Sequence, residues 1–155
     1  MNIEINDFIN DTSHSTIVDL LVDFNRKKTN NIHLEYSNKP LEIILRTLEN
    51  EIIGGIYGKS IWNTMEIKTF IIKEEYRNKG FGNRLMEEVE NEARKRKCDY
   101  ISLDTFSFQA PEFYKKLGFQ QVGVETDFPK SYNKYYFRKQ ICYPIDPQLA
   151  PTDKV

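Results

Sequence analysis

The segment Arg77-Asn78-Lys79-Gly80-Phe81-Gly82 holds the residues best spaced for chemistry. An apolar strand-like run, Ile67 to Ile72, leads into it, and a helix-like run from Asn83 leads out. Glycines at 80 and 82 let the backbone bend tightly and bring a ligand close to bare N–H groups. The helix start beyond them offers unpaired donors and the positive end of a helix dipole. That combination suits a phosphate or pyrophosphate, and a side chain at Gly80 or Gly82 would crowd its approach. Downstream, Ala110-Pro111-Glu112-Phe113-Tyr114-Lys115-Lys116-Leu117-Gly118-Phe119 places a tyrosine in a short helical stretch that stops at a glycine.

The elements that must position these segments follow from periodicity. A first helix is expected over about Ser15 to Lys27, with Asp11-Thr12-Ser13 as cap candidates and Ile17, Leu20, Leu21 and Phe24 as its apolar stripe. Leu41 to Leu48 and Glu51 to Tyr57 read as strands joined at Glu49-Asn50, and Glu66 to Ile72 as the strand before the glycine loop. The helix after the loop buries Leu85, Met86, Val89 and Ala93. Tyr100 to Thr105 alternates Ile101 and Leu103 against Ser102 and Asp104, as a half-buried strand does. A short helix begins near Pro111 and ends at Gly118. Phe119 to Glu125 and Asn133 to Ile141 close the pattern as two strands. The tail over 143–155, with Pro144, Pro147 and Pro151, is expected to be extended or disordered, leaving 1–142 as one domain.

Composition narrows the function classes. A chain of 155 residues, 39% hydrophobic and 29% charged, reads as an ordinary globular protein. A formal net charge of −1 argues against nucleic acid or an anionic membrane surface as partner. Met1 to Asn10 does not have the pattern of a signal peptide, and no apolar run approaches a membrane span, so a cytoplasmic protein is expected. Cys98, Cys142, His14 and His33 fall in no metal-ligand spacing, so no metal is expected.

Tempting motifs fail on spacing. Gly58-Lys59-Ser60 suggests a nucleotide-binding loop, but the required earlier glycine would be at position 53, which is Ile53. A dinucleotide fingerprint needs a third glycine where Leu85 stands. Arg94-Lys95-Arg96-Lys97 follows Glu87, Glu88, Glu90 and Glu92, and reads as cations complementing a helix end.

Arg77-x-x-Gly80-x-Gly82 resembles the Arg/Gln-x-x-Gly-x-Gly/Ala signature of the GCN5-related N-acetyltransferases, the GNAT superfamily. The segment around Tyr114 is similar to that superfamily's late helix, and the resemblance runs from about Ile52 to about Lys139. It implies an α/β (α+β) fold with a mixed twisted sheet of about six to seven strands flanked by about four helices. The implied reaction moves an acetyl group from acetyl-CoA to an amine whose identity the sequence does not give. Many members pair as homodimers, but nothing in this sequence assigns an interface.

The resemblance assigns tasks to residues. The backbone of Arg77, Asn78, Lys79, Gly80, Phe81, Gly82, Asn83 and Arg84 would cradle the cofactor's pyrophosphate, with Arg77, Lys79 and Arg84 adding charge. In the family the preceding strand splays from its neighbour, which assigns the backbone of Phe70, Ile71 and Ile72 to the pantetheine arm. Glu66 stands where several members carry a catalytic base, although Lys68 could pair with it instead. Tyr114 matches the general acid that protonates the leaving thiolate, a task a phenol near pKa ~10 suits. Gln109 replaces the commoner cofactor-contacting Asn, and Pro111 reshapes the helix start. Asp104 is an alternative base or an amine-binding group. Phe24, Arg26, Asp127, Phe128, Tyr132 and Tyr135 come from segments that line the acceptor side. A small-molecule acceptor is favoured over a protein or peptide one, and a non-catalytic acyl-CoA-binding module is the contrasting reading.

Overall fold

The computed structural model describes residues 3–29 and 38–143. These belong to two compact parts, divided between Glu35 and Tyr36.

The first part holds helix α1, Asp11–Lys28. It starts earlier than the sequence pattern predicts because Asn10, not Asp11-Thr12-Ser13, is the cap: its side-chain oxygen accepts the Ser13 N–H at 3.0 Å. Ser15 and Thr16 then fit inside the helix by donating their hydroxyls to the Thr12 carbonyl, at 2.9 and 2.8 Å.

The second part is built on a six-stranded sheet: β1 (Lys39–Arg46), β2 (Ile52–Ile61), β3 (Thr64–Ile72), β4 (Tyr100–Phe106), β5 (Gln120–Glu125) and β6 (Lys134–Gln140). Their spatial order is β1-β2-β3-β4-β6-β5. All neighbours are antiparallel except β3 and β4, and a parallel pair needs a crossover between its strands. Helix α2 (Phe81–Lys95) supplies it, and α3 (Pro111–Lys116) joins β4 to β5. With α1 and a single 3-10 turn at Glu74–Tyr76, these are the helices among the described residues.

The core forms where α2 lies on the sheet. Leu85, Met86, Val89 and Ala93 are 5, 1, 0 and 0% exposed and pack with Met65, Ile67, Ile101, Leu103 and Phe137. Each large side chain buried this way stabilises the fold by about 1.5–3 kcal/mol. The opposite sheet face bears the alternate residues, so polar groups of β3, β4 and β6 are left on one surface.

Two local features shape the middle of this sheet. The parallel pairing of β3 and β4 runs only from Thr64↔Tyr100 to Ile67↔Leu103. Beyond that the strands continue to Ile72 and Phe106 without pairing to each other. At the same level β3 carries a bulge: Tyr57 pairs with Thr69 and Gly58 with Ile67, leaving Lys68 as the extra residue. Gly58 permits this, since a Cβ there would collide with the Glu66 carbonyl. The tempting Gly58-Lys59-Ser60 thus lies within a strand, and its glycine serves a close backbone contact.

Cys98 is buried and Cys142 exposed. Tyr143 donates its hydroxyl to the Cys98 carbonyl at 2.6 Å. The rest of the proline-containing tail, 144–155, lies outside the described residues.

Candidate active site

The glycine loop is shaped by two left-handed residues, Asn78 (φ 57°) and Gly80 (φ 82°). Gly80 is the N-cap of α2 and has no side chain with which to satisfy the first helical N–H groups. Space around its missing Cβ is open to 4 Å, so the glycine is needed there for its backbone angle. Gly82 differs. A Cβ at that position would meet the Phe113 ring at 3.2 Å, so its absence lets the first turn of α2 lie close to α3.

Several side chains of the loop already have local work. The Arg77 Nε–H donates to the Ile72 carbonyl at 2.9 Å, closing the turn from β3 into the loop. The Lys79 ammonium lies 5.3 Å from the centre of the Tyr76 ring. Phe81 turns its ring to the core, whereas Asn83 and Arg84 are exposed. The groups that fit a pyrophosphate are therefore the uncapped backbone donors from Gly80 into α2, with the helix dipole behind them. The edge of β3 past Ile67, over Phe70, Ile71 and Ile72, is free of β4 and fits an extended amide-bearing arm.

Tyr114, on α3, is 8% exposed. Four phenylalanines enclose its ring: Phe70, Phe113, Phe119 and Phe137, with centroids 6.5, 5.3, 5.9 and 6.1 Å away. Burial pushes the phenol up to about 12, and the negative charge of Asp104 adds to it. Gln109 fastens the turn between β4 and α3. Its side-chain oxygen accepts the Thr105 hydroxyl and the Phe106 N–H, both at 2.9 Å.

On the face opposite α2, Glu66, Lys68, Ser102, Asp104, Lys134, Tyr136 and Arg138 line a cleft of about 430 Å³. The Lys68 ammonium is 2.6 Å from Glu66, and the Lys134 ammonium is 3.2 Å from Asp104. Burial pulls Lys134 down, but its hydrogen bond to Asp104 and that carboxylate's charge outweigh this, so the net direction is up. Beside the cleft stands an aromatic wall. Phe106 and Phe108 stack at 5.3 Å, Phe108 meets Tyr132 edge-on at 4.9 Å, and Phe128 lies 6.4 Å from Phe106.

The structure thus brings Glu66 and Asp104 onto one cleft, and Phe128 and Tyr132 into one wall. Asp127 is engaged locally: its carboxylate accepts the Ser131 N–H at 2.6 Å. Tyr135 packs toward the core. Phe24 and Arg26 belong to the first part, where Lys28 lies 5.7 Å from the Phe24 ring and Arg26 pairs with Asp23 at 3.7 Å. Sequence reasoning did not single out Phe106, Phe108, Lys134, Tyr136 or Arg138. The alternation Lys134-x-Tyr136-x-Arg138 along the last strand was the available signal for the last three.

Residues 7–119 match the acetyltransferase (GNAT) family, and the chain belongs to it. It is 28% identical over 123 residues to the acetyltransferase Atu2258 of Agrobacterium fabrum, covering 79% of this chain and 87% of that one. It is 26% identical over 107 residues to the blasticidin-S acetyltransferase of Streptomyces morookaense, covering 66% and 79%. A crystal structure of an acetyltransferase from Bacillus cereus superposes with a TM-score of 0.75 at 28% identity, covering 88% of this chain and 97% of the other. The protein is an N-acetyltransferase of this family, and acetyl-CoA is its donor. That molecule is bound in a matched Bacillus anthracis structure at 26% identity and TM-score 0.59, over 70% of this chain and 68% of that one. No helix among the described residues is long and apolar enough to cross a membrane.

Proposed function

We propose that the protein acetylates a primary amine of a small molecule held in the cleft opposite α2, with Glu66 as base and Tyr114 as proton donor. The observation that carries this reading is the end of β3–β4 pairing at Ile67 and Leu103. Glu66 precedes that opening, Asp104 follows it, and Tyr114 lies near enough for the Asp104 charge to raise its phenol. Bound along the free edge of β3, acetyl-CoA supplies the carbonyl that the amine attacks and the sulfur that leaves. One N–C bond forms, one C–S bond breaks, the sulfur takes a proton, and the ammonium releases two. Overall, one proton is lost to solvent.

A lysine-like ammonium has a pKa near ~10.4 and must shed a proton before it attacks. Glu66, directly or through one water, is suited to take it. Tyr114 holds its proton across the physiological range, because its pKa is about 12. A thiol near ~8.5 is a stronger acid than such a phenol, so full transfer is uphill by about 5 kcal/mol in the unliganded protein. Tyr114 therefore serves the leaving sulfur first as a hydrogen-bond donor, and its aromatic enclosure keeps competing water away. A small acceptor is supported by the size of the cleft and the aromatic wall beside it, and by a relative that by its name acts on blasticidin S.

The test is CoA release from acetyl-CoA over a panel of amines, with Tyr114→Phe alongside. A hit whose kcat falls about 10²–10⁴-fold in the variant, with acetyl-CoA binding kept, supports the assignment. Full activity in Tyr114→Phe removes the proton-donor role. Tight acetyl-CoA binding with silence across the panel, and labelling of macromolecules in a lysate, moves the acceptor to proteins.

A further inference from the structure

The cations of the cleft are not equivalent. Lys68 and Lys134 each face a carboxylate, at 2.6 and 3.2 Å. Arg138 lies instead with its guanidinium carbon 3.3 Å from the centre of the Tyr100 ring. Among the described residues no carboxylate comes within ion-pair distance of it. Two carboxylates, Glu66 and Asp104, thus face three cations across one cleft, leaving one positive charge in excess. Stacking on Tyr100 occupies the flat face of the guanidinium and restricts its rotamers, while the N–H fork at its edge stays available. A planar fork held in advance matches a carboxylate in bidentate fashion, with less ordering left for the ligand to impose.

Register relates this arginine to the reacting groups. Glu66 pairs with Ser102 across β3–β4, and Ser102 with Arg138 across β4–β6, so the three share one row. At 4.7–4.9 Å per strand, Glu66 and Arg138 have backbones about 10 Å apart. Asp104 faces Tyr136, so Arg138 is its diagonal neighbour at about 7–8 Å. With side chains reaching over the same cleft, a short ligand can touch a carboxylate at one end and the guanidinium at the other.

We infer that the acceptor is an amine that also bears a free carboxylate, an amino acid or a small molecule of that type. Its carboxylate rests on Arg138 and its amine points to Glu66 and Asp104. This rests on the reading of the cleft as the acceptor site. An acceptor with cationic groups alone would leave the Arg138 charge uncompensated and bring more positive charge beside it.

The experiment is calorimetric binding to the CoA-loaded protein of matched ligands: lysine, lysinamide and cadaverine, then phenylalanine and phenethylamine. The carboxylate-bearing member of a set is expected to bind at least about tenfold tighter than its partners, as a bidentate charge-assisted pair warrants. Arg138→Gln is expected to erase that difference by weakening the carboxylate-bearing ligands, with the decarboxylated ones bound at least as well as before, and Arg138→Lys to restore part of it. Thermal melts check that both variants are folded. No preference within any set, weak binding included, or equal weakening of all ligands by Arg138→Gln, overturns the inference. Turnover separates the two levels. Amines acetylated regardless of a carboxylate sink the Arg138 site and leave the enzyme reading intact. Carboxylate discrimination without any turnover does the reverse.

Discussion

Around the glycine loop, the groups left free for a ligand are backbone N–H groups of one short segment, whereas across the sheet face they are side chains from three strands. The loop from Arg77 to Gly82 is contiguous, and its side chains are largely engaged elsewhere, Arg77 with the Ile72 carbonyl and Phe81 with the core. What remains is shape, set by Gly80 at φ 82° and by the close fit of Gly82 to Phe113. The cleft has almost no such backbone component. Glu66, Asp104 and Arg138 become neighbours only through strand register. One prediction separates the two regions: substitutions that keep the backbone should be mild at the loop and severe in the cleft.

The largest effect is expected at Glu66. Glu66→Gln keeps size and polarity but removes the base, so kcat/KM for the acceptor should fall about 10²–10⁴-fold while the KM for acetyl-CoA holds. Steady-state kinetics with each substrate varied in turn reads both. A variant as active as the parent leaves Glu66 as the partner of Lys68 and moves the base to Asp104, where Asp104→Asn repeats the test.

Next is the pH dependence of stability. Folding raises the Tyr114 phenol from ~10 to about 12, so the native state holds a proton that the unfolded chain gives up in that window. The contribution is fully present below pH ~10 and is lost as pH rises toward about 12, amounting to about 2–3 kcal/mol for a group this well enclosed. In denaturant titrations the parent should therefore lose stability relative to Tyr114→Phe as pH rises across that window. Parallel curves would mean that the phenol is not desolvated as its surroundings require.

A smaller change is expected from Gly82→Ala. Alanine favours a helix by about 1 kcal/mol over glycine, which offsets the tightness against Phe113, so the melting temperature should move little. Acetyl-CoA affinity should fall only a few-fold, since the signature admits Ala at this position and the Phe113 ring has to yield only slightly. A loss beyond about tenfold would show that the pyrophosphate needs the bare glycine here.

The same contrast explains what was legible in the chain. The bend at Gly80 and the short helix that carries Tyr114 are legible because each is set within a few consecutive residues. The burial of Leu85, Met86, Val89 and Ala93, and the alternation of Ile101 and Leu103, also follow from a local period. The row of Glu66, Ser102 and Arg138 does not, because it depends on the register of β3 against β4 and on β6 inserting between β4 and β5. An arginine alternating with aromatics on the last strand looks in sequence like any solvated cation. Asn10 was likewise hidden as a cap, since three other polar residues follow it and only geometry chooses among them.

The mildest prediction concerns Asp127, a residue that the loop sequence offers to the acceptor and that the structure ties to its own turn. Its φ of 58° is one that Asp tolerates better than most residues, and its carboxylate accepts the Ser131 N–H at 2.6 Å. Asp127→Ala removes that bond and leaves a β-carbon in the left-handed region, so about 1 kcal/mol of stability should be lost. Asp127→Asn keeps both the angle and an acceptor and should recover most of it, as thermal melts of the pair would read. If stability is untouched in both while the acceptor KM climbs, the carboxylate faces the ligand. The cleft would then carry a third acid, and the excess charge assigned to Arg138 would already have its counterpart.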